Sequence, residues 1–528
     1  MRLLMDILLP EQHFSAGYKT LFMCGPALLI LIGLIPSVWL NRRPGLTAGL
    51  ASLAAIFNAT MASTNLILLL KGGESYFKWS GLTVYLDSLA GLVYLLVSAL
   101  LFVVIRFSRE YLAGDPQQGS YYKWLSLTGA AVLLLIISGN LLQFTLCWMA
   151  ISLFLHKLLV FYRNRPGALL AARKKFIISR LGDLCLIGSL VLVFRDYGTW
   201  DIRSIFAQVE AVEDAQSTTH GSWTALLLVT GALLKSAQFP FHSWLPDTME
   251  TPTPVSALMH AGIINAGGFL IMRFSPLIAD AALANQLLVM IGGFTALFGA
   301  FVMLTQASIK RALAFSTVSQ MGFMMLECGL GAYGLALLHL VAHSCYKAYA
   351  FLRSGSSVAT RFSALPKLRP LSAEFGLAIV CLPVCALIFT TSALLLAPTT
   401  ITAEGFVLAT AIITGMAFFL WNLWRQELAL RPMTTGLLVV AALAGVYHIL
   451  HEFFGHLVRQ LPGAGGVIPW TLAIILAGSF LGAYLLCVAL SLQLSNSALG
   501  RLYIHARNGF YINTLANRLI HHFWPVKL

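Results

Sequence analysis

Lysines and histidines set inside apolar runs are the residues of this chain that could do chemistry. Lys235 follows the apolar stretch VTGALL; Pro240, Pro246, Pro252 and Pro254 then interrupt the chain before a second apolar run carries His260. A charged side chain at membrane depth is costly, so by default it marks an ion or proton path. Proline removes a backbone donor and breaks a helix, which hydrocarbon tolerates only where protein or a water-filled cavity satisfies the freed carbonyls. Lysine beside a broken helix is therefore a transport-site pattern. The plainer alternative is a lysine snorkelling from a helix end.

A second constellation follows. Lys310 and Arg311 open the segment KRALAFSTVSQMGFMMLECGLG, and His339, His343 and Lys347 then recur at i, i+4 and i+8. That spacing puts all three on one helix face. A metal site would need a further ligand, and a lysine in the stripe repels a cation, so no metal is expected. Titratable groups along one face suit a proton relay, each taking and passing a proton with water in the gaps. The alternative is that the histidines only hydrogen-bond neighbouring helices.

The elements that must hold these groups are membrane helices. The 528 residues are 58% hydrophobic and 10% charged, whereas soluble domains run near ~25% charged. Hydropathy predicts an all-α polytopic membrane protein with about 15 spans. The net charge of +14 does not point to nucleic acid, because the basic residues gather in short connecting segments. Examples are Arg42 with Arg43, Arg106 with Arg109, the cluster Arg163, Arg165, Arg173, Lys174 and Lys175, and the group Arg361, Lys367 and Arg369. With the N-terminus outside, these segments face the cytoplasm, as the positive-inside rule asks. The expected topology in a bacterial inner membrane is a periplasmic N-terminus and a cytoplasmic C-terminus. The eight cysteines lie in apolar runs and read as small core hydrophobes. Residues 72–87 predict an external hairpin, and 196–221 a surface segment. The tail 493–528 predicts an amphipathic helix on the membrane or against a partner, or a plain solvated tail.

The strings KSAQFPFHSWLPDTMETPTPVSALMHA, IKRALAFSTVSQMGF and HLVAHSCYKAYAFLRSGS closely resemble the proton-translocating antiporter-like subunits. These include chain 5 of respiratory complex I and the A subunit of multisubunit Na+/H+ antiporters. YLDSLAGLVYLL, FSREYLAGD, KKFIISRLGD and NGFYINTLANRL fit as well. The resemblance implies two inverted five-helix repeats, each with a broken helix. It divides the chain into N-terminal helices and hairpin (1–122), a first repeat (123–275), a degenerate second repeat (276–425), and C-terminal helices with a tail (426–528). Lys235 matches the broken-helix lysine, with Pro240 and Pro246 in the break. His260, Lys310, His339, His343 and Lys347 match polar-axis positions, and Arg180 and Asp183 match the RxGD at the start of the sixth span.

Three departures stand out. The family carries Trp-Glu in its fifth span, and that glutamate pairs with the broken-helix lysine; here the residues are Trp148-Met149. Either another acid substitutes, with Asp183, Asp247 and Glu327 the candidates, or the proton chemistry of Lys235 differs. The second broken-helix lysine is missing from FGLAIVCLPVCALIFTTSALLLAP, which keeps only Pro383. The chain also stops soon after its last span, without room for a long lateral helix. Nothing resembles a flavin, iron–sulfur or quinone site, so no cofactor is expected in this chain.

The string LHKLLVFYRNRPGALLAARKKFIISRLGDL resembles the DabB-type membrane subunits of inorganic-carbon accumulation complexes. The resemblance implies a transport subunit rather than an enzyme, conducting H+ (or Na+) down its gradient. The work would power a DabA-like partner, a large cytoplasmic zinc protein resembling carbonic anhydrase. His156 and Lys157 lie in this string and line the cytoplasmic half-channel with Arg180, or else face lipid headgroups. Competing readings are a subunit of a multisubunit cation/proton antiporter, the membrane arm of a hydrogenase- or NADH-linked oxidoreductase, and a silent anchor.

Overall fold

The computed structural model describes residues 16–72, 74–162, 164–211, 221–355, 371–396, 401–426, 430–462, 468–492 and 497–525. The first half runs α1 (Ala16–Leu34), α2 (Ser37–Arg42), α3 (Pro44–Gly72), β1 (Ser75–Trp79), β2 (Leu82–Leu86), α4 (Ser88–Tyr111), α5 (Gln118–Ile136), α6 (Leu141–Leu159), α7 (Pro166–Tyr197) and α8 (Ile202–Ala211). Next come α9 (Gly221–Lys235), α10 (Thr253–Ala261), α11 (Ala266–Arg273), α12 (Ala282–Leu304), α13 (Ile309–Gly329) and α14 (Tyr333–Arg353). The last helices are α15 (Leu371–Leu396), α16 (Ala403–Trp424), α17 (Leu430–Leu457), α18 (Trp470–Ser491), α19 (Ser497–Arg507) and α20 (Ile512–Phe523).

Twelve helical segments among the described residues are long and apolar enough to cross a membrane, with α10 to α11 counted as one. The chain is a multi-span membrane protein. Three of the expected spans do not meet that measure. One is α5, which opens on the polar sequence QGSYYK. Another is α9, which stops after 15 residues at the helix break. The third is α13, which carries Lys310, Arg311, Ser316, Thr317, Ser319, Gln320 and Glu327.

Helix α7 corrects the loop assignment of Lys174 and Lys175. It starts at Pro166, a residue suited to the first helical turn because its missing N–H would be unpaired there anyway. Both lysines are therefore helical, and both are buried. Arg163, Arg361, Lys367 and Arg369 lie outside the described residues.

The hairpin pairs Phe77 with Val84 in antiparallel register. Its two-residue turn, Ser80-Gly81, has φ of +45° and +83°, the backbone hand that matches strand twist. Tyr76 donates to Asp201, which ties the hairpin to α8. Asp87 caps α4 by accepting from Ala90 N at 2.8 Å. It also holds Arg273, at the end of α11, in a two-pronged ion pair of 2.8 and 2.9 Å.

At another part of the bundle the tail folds back onto the protein. Asn513 and Asn517, one turn apart on α20, accept from Lys174 Nζ at 2.6 and 2.7 Å. Asn513 also donates to Asp247 at 3.0 Å, and Arg173 donates to Trp524 O at 2.7 Å. The tail thus docks by its polar edge and leaves Leu515, Leu519 and Phe523 exposed.

Candidate functional site

The break after Lys235 has a local cause and a tertiary remedy. Ala237 takes φ +50° and Pro240 has no N–H, so the helix cannot continue. The groups this frees are met by protein. Gln238 N donates to Leu233 O at 3.2 Å, and Phe239 N donates to Thr295 Oγ1 of α12 at 3.1 Å. Ser236 Oγ donates to Ile264 O at 2.9 Å. A broken helix at membrane depth needs such partners. Helix α11 approaches α9 so closely at Gly267 that a Cβ there would lie 2.2 Å from Ser236 Oγ. Pro240 precedes the turn Phe241–Ser243, and Pro246 is buried in the turn Trp244–Asp247.

Lys235 is buried, its Nζ 4.4 Å from the centre of the Trp148 ring. It makes no hydrogen bond to any described residue. None of the three candidate acids pairs with it. Asp247 instead accepts from Lys174, because α7 begins early enough to bring that lysine beside the break. Glu327 lies on α13, 2.9 Å from His339 Nδ1 of α14. Asp183 sits 2.7 Å from Arg180, one turn back on α7. Asp183 is nonetheless the carboxylate that acts on Lys235 through space.

His156 rests edge-on to Phe176 at 5.7 Å, with Nδ1 buried and unpaired. Lys157 is exposed, 5.8 Å from the Trp124 ring. Lys175, which sequence reasoning did not single out, donates to Ser152 O and Oγ at 2.6 and 2.9 Å. It lines a small cavity together with Lys235 and Trp244. The signal for it was the KK pair inside a continuous helical pattern, masked by counting both lysines as loop charges.

The second cluster gathers on α10, α13 and α14. His260 Nδ1 lies 3.0 Å from Thr317 Oγ1, and its ring stacks on Phe351 at 4.3 Å. Lys347 is fully buried and donates to Ser316 Oγ at 2.7 Å and Leu313 O at 3.3 Å. Its charge bears on both His260 and His343. His343 is buried with neither ring nitrogen bonded, its ring centre 6.1 Å from that of His339. His343, His339 and Glu327 thus follow one another closely, and Lys347 lies within electrostatic reach of His260 and His343. Lys310 stands apart from them, donating to Thr253 Oγ1 at the start of α10, 3.1 Å away.

Residues 138–429 match the family model described as NADH:quinone oxidoreductase/Mrp antiporter, TM. The chain belongs to this antiporter family. It is 38% identical over 493 residues to "Probable inorganic carbon transporter subunit DabB2" of Halothiobacillus neapolitanus, covering 91% of this chain and 87% of that one. It is 47% identical over 289 residues to "Probable inorganic carbon transporter subunit DabB" of Hydrogenovibrio crunogenus, covering 54% and 55%. Among solved structures, a chain of the Mrp complex from Dietzia sp. superposes with a TM-score of 0.58 at 23% identity, covering 94% of this chain and 55% of that one. At that identity the likeness shows the antiporter-like fold and no more.

Proposed function

We propose that this chain is the membrane subunit of an energy-coupled inorganic-carbon pump. It conducts H+, with Na+ the second choice, down its gradient to power a DabA-like partner. That partner is a large cytoplasmic zinc protein resembling carbonic anhydrase, and the zinc and the catalysis both belong to it. The observation that carries the reading is the 38% identity, over 91% of the chain, to a relative named as an inorganic-carbon transporter subunit. The buried groups His260, Lys347, His343 and Glu327, with the half-buried His339, support it, because titratable groups at membrane depth are costly to keep without a use. In this mechanism Lys235 and Lys310 join those groups in passing the ion. His156, Lys157 and Arg180 line the cytoplasmic half. The chain sits in a bacterial inner membrane, N-terminus periplasmic and C-terminus cytoplasmic, on the strength of its basic connecting segments.

A second reading, a subunit of a multisubunit cation/proton antiporter, is favoured by the family match. Purifying a tagged copy in mild detergent and identifying its companions by mass spectrometry separates the two. A large zinc-containing, anhydrase-like protein in near-equal amount is the expected result. Several small membrane subunits, or flavin and iron–sulfur proteins, would move the chain to the antiporter or respiratory branch.

A further inference from the structure

The charges around the helix break do not balance. Lys174 is closed by Asp247, and Arg180 by Asp183. Lys175 and Lys235 are left, 3% and 8% exposed. They line one cavity, and the Lys235 charge bears on Lys175. Asp183 acts on both, but one carboxylate already held by a guanidinium does not neutralise two further cations. No other described carboxylate reaches them.

Within the cavity lining, hydrogen bonding is unbalanced in the same direction, although both carboxylate oxygens of Asp183, outside that lining, also lack a hydrogen-bond partner. Lys175, Lys235 and Trp244 line one cavity. Lys235 Nζ and the indole Nε1 of Trp244, a residue only 4% exposed, find no acceptor among the described residues. Ammonium and indole nitrogens can only donate, and buried donors are normally paired. The ligand that satisfies both imbalances is an acceptor carrying negative charge. The cavity has room for about one water, so that ligand is monatomic or nearly so.

We propose that the cavity between Lys175, Lys235 and Trp244 binds one small monovalent anion of about chloride's size. The anion supplies the negative charge that no described carboxylate contributes to this cavity and holds Lys235 in its charged form. Bicarbonate, with four heavy atoms, is larger than the space. The inference does not depend on which gradient or cargo the chain serves.

The test is thermal unfolding of the full chain in detergent, with whatever partner co-purifies, in sodium chloride against sodium gluconate at equal ionic strength. Chloride and bromide should each raise Tm saturably, by roughly 2–4 °C, since a ligand that binds the folded state stabilises it. Lys235→Met removes one cation, and Ser152→Asp supplies a carboxylate beside Lys175. In each variant the chloride effect should vanish. If Lys235→Met fails to fold, Ser152→Asp and Trp244→Phe, which deletes the indole donor, carry the test. Equal Tm in chloride and gluconate for the natural chain overturns the proposal. A chloride effect that survives in the variants overturns it too, by placing the anion elsewhere. A response to bicarbonate but not to halide refutes the assigned size. No gradient or uptake enters the measurement, so its failure and that of the carbon-uptake reading are separable.

Discussion

Lys235 and Glu327 show what a charge needs in order to persist at membrane depth. Lys235 lies against the face of Trp148 and beside a small cavity, while Glu327 lies 2.9 Å from His339 Nδ1. If Lys235 passes the coupling ion, Lys235→Ala abolishes gradient-dependent carbon uptake in cells while the protein still assembles. Retained uptake removes that lysine from the path. Glu327 and His339 act as a unit, so Glu327→Gln and His339→Ala should each lower uptake and stability. Residues in direct contact couple by about 0.5–3 kcal/mol, so the double variant should be little worse than the more severe single. Additive losses in a double-mutant cycle would show that the contact has no functional weight. The i, i+4, i+8 stripe was legible from spacing alone. Its terminal carboxylate was not, since Glu327 belongs to the preceding helix.

Among the elements, the break between α9 and α10 and the clamp between α4 and α11 decide where the polar groups stand. Prolines announced the break, but the side chain that satisfies it, Thr295, comes from α12 and has no local signature. The Asp87–Arg273 clamp also joins segments far apart in sequence, and Asp87 serves at once as helix cap and counter-ion. Removing one partner of a buried ion pair strands the other, typically at about 3–5 kcal/mol. Asp87→Ala should therefore lower Tm sharply, and Asp87→Leu with Arg273→Met should recover much of the loss. A single variant with unchanged Tm would mean that the clamp contributes nothing. Helix α7 teaches the same lesson from the other side. Charge patterning placed Lys174 and Lys175 in a loop, yet both are helical, and both can stay buried because tertiary partners, Asp247 with two asparagines and Ser152, take up their donors.

For the whole molecule, topology follows from where basic residues lie between spans. If the tail is cytoplasmic, as proposed, a fluorescent protein fused after Leu528 should glow and a phosphatase fused there should stay inactive. The reverse pattern would invert the assignment and the direction of ion flow with it. Composition and period determined the membrane class, most of the spans, the hairpin, the break after Lys235 and the shared face of His339, His343 and Lys347. These features depend on residues within a few turns of one another, where hydropathy and backbone geometry act directly. Only the tertiary structure decided that Asp247 belongs to Lys174 and Glu327 to His339, and that Lys235 shares its cavity with Lys175. Such pairings are chosen by which helices pack side by side. A charge buried in hydrocarbon takes whichever opposite charge the packing brings within reach, however far away that residue lies in the chain.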